Sequence, residues 1–197
     1  MTLLTVWNAG DPATPLRQTT DPGEIAAAMQ EIGCRFERRD VSPDVSADAD
    51  QATVLAHYRA LVEEVVAAES FVTVDVASVR PSEDPGWPET AKAIRAKFID
   101  EHTHGDDDEV RFITRGAGVF YLHIGDQVHA LYCEAGDLTG VPRGTTHWFD
   151  TGAEPDFTAI RFFHDPRGWV GIPTGSDIST RFPDFEQLRS QAVALTG

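Results

Sequence analysis

Apolar residues recur at helical spacing in three stretches of the first half of the chain and at strand spacing through most of the second. Asp21-Pro22 opens the first helix, over Ile25–Ile32: aspartate suits the N-cap and proline the first helical position. Gly33 then provides a left-handed cap. Over 52–68, Val54, Leu55, Tyr58, Leu61, Val62 and Val65 fall on one face of a second helix. Glu89–Phe98 reads as a third, after a turn-rich Pro81–Pro88 connection. Between them, Thr2–Trp7, Cys34–Arg39 and the β-branched Phe71–Val79 read as strands.

From about residue 99 the pattern changes to short strands punctuated by glycine. They are Val110–Thr114, Val119–Ile124, Val128–Cys133, Leu138–Val141, His147–Phe149 and Phe157–Phe163. This rhythm predicts a β-sandwich or small barrel. A length of 197 residues suits one domain. We divide it into a mixed α/β part (1–98), a β-barrel core (99–165) and a C-terminal extension (166–197).

Charge narrows the function. The chain carries 16 basic and 32 acidic side chains, a net charge of −16. That balance disfavours nucleic acid and anionic membrane surfaces as partners. No apolar run approaches the ~20 residues that span a bilayer, and the first residues lack the features of a signal peptide. Cys34 and Cys133 lack metal-type spacing. A disulfide between them stays open, but the expected state is a reduced, cytoplasmic protein.

The candidate chemistry lies in the β part. His102 and His104 form a His-x-His pair, and residues i and i+2 of a strand face the same side. Glu109 follows a short acidic loop. If a strand begins there, Glu109, Arg111 and Ile113 share a face. His147 follows the Pro142–Gly144 turn and shares a face with Phe149. Three imidazoles and a carboxylate suit Fe²⁺, Ni²⁺, Mn²⁺ or Zn²⁺ and leave coordination positions for a substrate. His57 has no partner, His123 and His129 flank the Gly125-Asp126 turn as structural or exposed residues, and His164 is an outside candidate.

Two spaced patterns run through these residues: His102, His104, Glu109 and Gly116, then Gly136, Pro142, Gly144 and His147. Together they resemble the two motifs of the cupin superfamily, which implies a mainly β fold, a jelly-roll barrel, with helices in the N-terminal half. The strings KFIDEHTHGDDDEVRFITRGAGVFYLHIGD, AGDLTGVPRGTTHWFDTG and FTAIRFFHDPRGWVG resemble the bacterial acireductone dioxygenase family more closely. That resemblance implies His102, His104, Glu109 and His147 as ligands of one Fe²⁺ or Ni²⁺ ion. It implies 1,2-dihydroxy-3-keto-5-(methylthio)pentene and O₂ as substrates, in methionine salvage. With iron the products would be 4-methylthio-2-oxobutanoate and formate; with nickel, 3-methylthiopropanoate, formate and carbon monoxide. It also implies a monomer. One spacing departs from the family: four residues, not three, separate His104 from the glutamate. Strict spacing would select Asp108, whereas the register of the following VRF selects Glu109.

An acireductone is an acidic enediol, so a cation near the metal would steady its charge. Arg111 takes that role, and Arg161 is a second candidate with a structural salt bridge as its other reading. Phe98, Phe149 and Trp169 match aromatic positions of the family's pocket wall and would pack the methylthio tail. Other cupin enzymes (a quercetinase-like dioxygenase or a sugar-phosphate isomerase) and a non-enzymatic cupin are the rival readings. Six acids, Asp100, Glu101, Asp106, Asp107, Asp108 and Glu109, surround the histidine pair and would attract a divalent cation.

Overall fold

The structure is a computed structural model that describes residues 1–42, 44–105, 107–166 and 170–195. The chain begins with β1 (Leu3–Asn8) and β2 (Asp11–Thr19), then α1 (Pro22–Glu31) and β3 (Arg35–Arg38). Two short helices follow, α2 (Gln51–His57) and α3 (Arg59–Glu69), then β4 (Thr73–Val79) and α4 (Trp87–Ala96). The β-rich part holds β5 (His102–Thr103), β6 (Glu109–Ile124), β7 (Gln127–Glu134), β8 (Asp137–Val141), β9 (Thr146–Asp150) and β10 (Phe157–Phe163). The chain closes with β11 (Ile172–Pro173), a 3-10 turn at Ile178–Arg181 and α5 (Phe185–Ala194). Among the described residues, no helix is long and apolar enough to cross a membrane.

The strands form two antiparallel layers that share β6. One layer runs β2-β1-β7-β6-β9-β5-β11 and uses the second half of β6, from Ala117. The other runs β4-β10-β6-β8-β3 and uses its first half, from Glu109. The sequence predicts two strands here, Val110–Thr114 and Val119–Ile124; the structure joins them into one of 16 residues. The joint is a bend at Gly116, where φ is +74°. A Cβ there would stand 1.9 Å from the Asp156 carbonyl oxygen, so only glycine lets β6 pass from one layer into the other.

Alternation along β6 sorts side chains into three cores. Phe120, Leu122 and Ile113 face inward between the layers, with Leu4, Val6, Leu131 and Phe149. Val119 and Tyr121 face outward and are covered by Ile178, Phe182, Phe185 and Leu188 of the C-terminal segment. Val110 and Phe112 face outward on the other layer, under Val54, Tyr58 and Val65 of α2 and α3. Strands buried on both faces read as near-continuous apolar runs, as VRFITRGAGVFYL does. Arg111 lies in this run on the inward side, between Val110 and Phe112, which makes it a buried guanidinium inside the barrel.

Local signals set several boundaries. Asp21 caps α1 by accepting from the Glu24 amide at 2.9 Å, and Gly33 follows it with φ +75°, as predicted. The helix predicted over 52–68 is two helices, broken at Tyr58 (φ −100°, ψ 19°). Its apolar face is as predicted, since Val54, Tyr58 and Val65 are buried. β2 has no sequence signal: Pro12 and Pro15 interrupt it and most of it is exposed, as an outermost strand allows. Strands from residues 1–98 also enter both layers, with β1 beside β7, β3 beside β8 and β4 beside β10.

Candidate metal centre

The inner face of one layer meets the first turn of the other at a cluster of histidines. His102 of β5 is the direct partner of His147 of β9, so both imidazoles project from one side of the sheet. His104 lies just past the end of β5 and joins them. Ring centroids are 4.6 Å apart for His102–His147, 5.1 Å for His102–His104 and 4.4 Å for His104–His147. Their ligand atoms lie within 4.8 Å of one another, and all three residues are buried. Glu109, first residue of β6, enters from the opposite layer. Its Oε2 is 2.9 Å from His104 Nδ1 and 3.1 Å from His147 Nε2.

The acidic loop divides its work residue by residue. Asp107 accepts from the His164 and Asp165 amides and from His164 Nδ1 at 2.7 Å, tying the loop to the end of β10. Asp108 accepts from the Arg143 amide at 2.8 Å and faces its guanidinium, across the turn that precedes β9. Glu109 alone of these three reaches the histidines. The carboxylate at the cluster is therefore the one in register with VRF and not the one at strict family spacing. Asp106 and Trp169 lie outside the described residues.

Hydrogen bonds fix the tautomers of two rings. His102 Nδ1 donates to the Asp100 carbonyl and His147 Nδ1 to the Thr145 carbonyl, each at 2.8 Å. A carbonyl only accepts, so both Nδ1 atoms carry protons, and in the neutral rings Nε2 is the nitrogen that keeps a lone pair. This is the way a protein orients imidazoles for a metal. Burial pulls the pKa of His102 and His104 down and keeps them neutral. Burial pushes the Glu109 carboxyl up, but Arg111 and the hydrogen bonds from His104 and His147 outweigh it and hold it well below the usual range. His147 Nε2 lies 3.1 Å from the Glu109 Oε2. Three imidazoles and an ionised carboxylate thus converge on one buried point, as they do around a shared cation. The donor set fits a divalent ion, with nitrogen and oxygen ligands of borderline softness.

Arg111 is 5% exposed and pairs through Nη2 with Oε1 of Glu109. Its guanidinium lies 5.4 Å from the Phe120 ring centre and 5.3 Å from that of Phe149. Arg111 therefore faces the metal centre through Glu109. Phe149 is buried behind it at 3% exposure, packed on Gly118 and 4.5 Å from the Phe120 ring.

A cavity of about 600 Å³ reaches the cluster at His102. Phe98, Arg161, Phe163, Val170 and Asp75 line it; Arg111 and Phe149 do not. Of the expected pocket residues, Phe98 is at the wall and Phe149 lies beneath. Arg161 is at the wall too, its guanidinium joined to Asp75 by two bonds of 2.8 and 2.7 Å.

Two contributors escaped the sequence reading. Glu101 is 4% exposed and bonds His123 Nδ1 and Thr174 Oγ1, each at 2.6 Å. It thereby pins β11 onto β5 beside His102. Gly171 presses on the His102 ring, where an added Cβ would sit 3.2 Å from Cδ2. The pairing of β11 with β5 brings Gly171 and Thr174 to the site, whereas Glu101 is the chain neighbour of His102 and only its partners come from afar. His164, the outside candidate, is used by Asp107 and the Glu69 carbonyl and stands apart from the cluster.

A two-layer antiparallel barrel with a three-histidine centre between its layers defines a metal-binding cupin. The pattern of the ARD/ARD' family matches residues 5–171. An acireductone dioxygenase of Frankia alni is 54% identical over 196 residues, covering 98% of this chain and 95% of the relative. That of Saccharopolyspora erythraea is 53% identical over 188 residues, covering 95% and 98%. The solved acireductone dioxygenase from Bacillus anthracis, with a cadmium ion in its active center, superposes with a TM-score of 0.72 at 26% identity, covering 87% of this chain and 98% of that one. The chain belongs to the ARD/ARD' family.

Proposed function

We propose that this chain is an acireductone dioxygenase of methionine salvage, cleaving 1,2-dihydroxy-3-keto-5-(methylthio)pentene with O₂. The observation that carries the reading is the cluster of His102, His104, His147 and Glu109 opening through His102 into a cavity large enough for that substrate. The name and near-complete coverage of relatives above 50% identity support it.

The four ligands are His102, His104, Glu109 and His147, and they hold one Fe²⁺ or Ni²⁺ ion per chain. When bound, that ion supplies the Lewis acidity that holds an enediol as its anion. Asp100 and Thr145 aim the two histidines through their carbonyls. Arg111 keeps Glu109 ionised and adds positive charge behind it, where low polarity strengthens its effect on an anionic substrate. Phe98 and Phe163 give the methylthio tail an apolar wall, and Arg161 stands beside them as the second cation.

Both layers have their outer apolar faces covered by helices of the same chain, which supports a monomer. Cys34 and Cys133 are buried free thiols, which supports a reducing, cytoplasmic setting. The test is anaerobic loading with Fe²⁺ or Ni²⁺, followed by substrate and O₂. The iron form is expected to give formate and 4-methylthio-2-oxobutanoate, and the nickel form 3-methylthiopropanoate, formate and carbon monoxide. A metal-loaded protein that consumes no oxygen with this substrate would refute the proposal.

A further inference from the structure

Strand register places three charged residues in one row of the layer that ends at the cavity. Asp75 of β4 is the direct partner of Arg161 of β10, and Arg161 is the direct partner of Arg111 of β6. Direct partners project to the same face. Each guanidinium has its own carboxylate: Arg111 pairs with Glu109 and Arg161 with Asp75. Of the two pairs, only Asp75–Arg161 lines the cavity that reaches His102. The tail of a substrate held at the metal centre meets this second pair.

The geometry of the pair decides what that tail can be. Arg161 gives Nε to one Asp75 oxygen and Nη2 to the other, so one two-pronged edge of the guanidinium is engaged and its charge is balanced by that carboxylate. Its guanidinium also lies 5.3 Å from the Phe163 ring centre, which leaves an apolar wall beside it. The two side chains are 27% and 33% exposed, so a ligand in the cavity touches them directly. Among the described residues of the lining, Lys97 and Asp100 are the other charged side chains, exposed and opposite in sign.

We infer that Asp75 is a specificity-determining residue. By occupying Arg161 it makes the cavity accept an enediol with an uncharged tail and reject the same enediol with an anionic one. This rests on the proposed function and deepens it. An anionic tail would enter a half-dry cavity where the Arg161 guanidinium is already paired, and would face the Asp75 carboxylate.

Two acireductones of equal length, one ending in methylthio and one in carboxylate, are titrated without oxygen into the metal-loaded protein. The wild type is expected to prefer the neutral tail by about 100-fold, the order of a desolvated charge left unpaired. Asp75→Asn should lower that preference at least about 10-fold, the worth of one charge-assisted bond to the freed guanidinium. Adding Arg161→Gln to it should restore the preference. Asp75→Ser serves the same purpose if Asp75→Asn fails to fold. A preference unchanged in the single variants, or lowered equally in the double variant, overturns the inference. If the wild type binds neither compound, the inference and the functional reading fall together. If it binds the neutral one without consuming oxygen once O₂ is admitted, the functional reading fails and the preference still decides the inference.

Discussion

Two cavities of nearly equal size flank the end of α4, and only one of them reaches the metal centre. The first, about 600 Å³, ends at His102; the second, about 620 Å³, lies between α4 and the C-terminal segment over the outer face of β6 and β9. Ala96 and Asp100 line both. The second holds a buried charge as well, but that charge is fully provided for. Asp150 is 1% exposed and accepts four hydrogen bonds, two from Arg95 at 2.7 and 2.8 Å and two from the Gly152 and Phe185 amides at 2.9 and 3.0 Å. Tyr121 stacks on Trp148 and donates to the Pro183 carbonyl. At the first cavity, by contrast, His102, His104, His147 and Glu109 crowd their polar atoms onto one point, with His147 Nε2 3.1 Å from Glu109 Oε2. Volume does not separate the two cavities; the convergence of three imidazoles and a carboxylate at the end of one of them does.

The contrast breaks most sharply at the ligands. His147→Ala removes one nitrogen of the centre and leaves the second cavity intact. Bound metal, measured by elemental analysis, should be lost, and oxygen uptake with substrate should fall at least about 1,000-fold, since metal catalysis supplies several kcal/mol. Asp150→Ala should do the reverse. It removes an acceptor of four bonds and strands Arg95, and chemical denaturation should show a loss of about 3 kcal/mol. The folded fraction should still bind one metal ion per chain.

Gly171→Ala sharpens the comparison at smaller scale. The new methyl group would press on His102 and shift it by tenths of an ångström. Turnover is expected to fall a few-fold, about 3 to 10, since 1 Å of misplacement costs about 100-fold. Unfolding stability should hardly move. An equal loss in both would mean that Gly171 serves β11 packing and not the imidazole.

The smallest effect is a pH dependence of stability. Burial lowers the pKa of His164, but its bonds to Asp107 and the Glu69 carbonyl outweigh that and raise it above the ordinary value. The folded state then binds its proton more tightly than the unfolded state. The stabilisation is full below pH 6.5 and is lost as pH rises through the folded value. A shallow fall in thermal stability on the alkaline side of pH 6.5 is expected, and Asp107→Asn should flatten it.

Much of this protein is legible in the order of its residues. Alternation places Glu109 and Arg111 on the inward side of β6, and His-x-His spacing puts two imidazoles on one side of the chain. Asp21-Pro22 starts α1 because capping depends on residues three apart. These features depend only on near neighbours, and near neighbours are visible in sequence. Tertiary structure decided the rest. Nothing local joins Val110–Thr114 to Val119–Ile124; the Asp156 carbonyl packed on Gly116 makes them one strand in two layers. Local register favours Glu109 over Asp108, but only distant contacts show why the two carboxylates part. Arg143, 35 residues away, takes Asp108, and His104 and His147 meet Glu109. Arg161 offers the same guanidinium as Arg111 in any reading of the chain. Its pairing with Asp75, 86 residues earlier, fixes which charge the cavity presents, because charges balance across strands that only the folded sheet brings side by side.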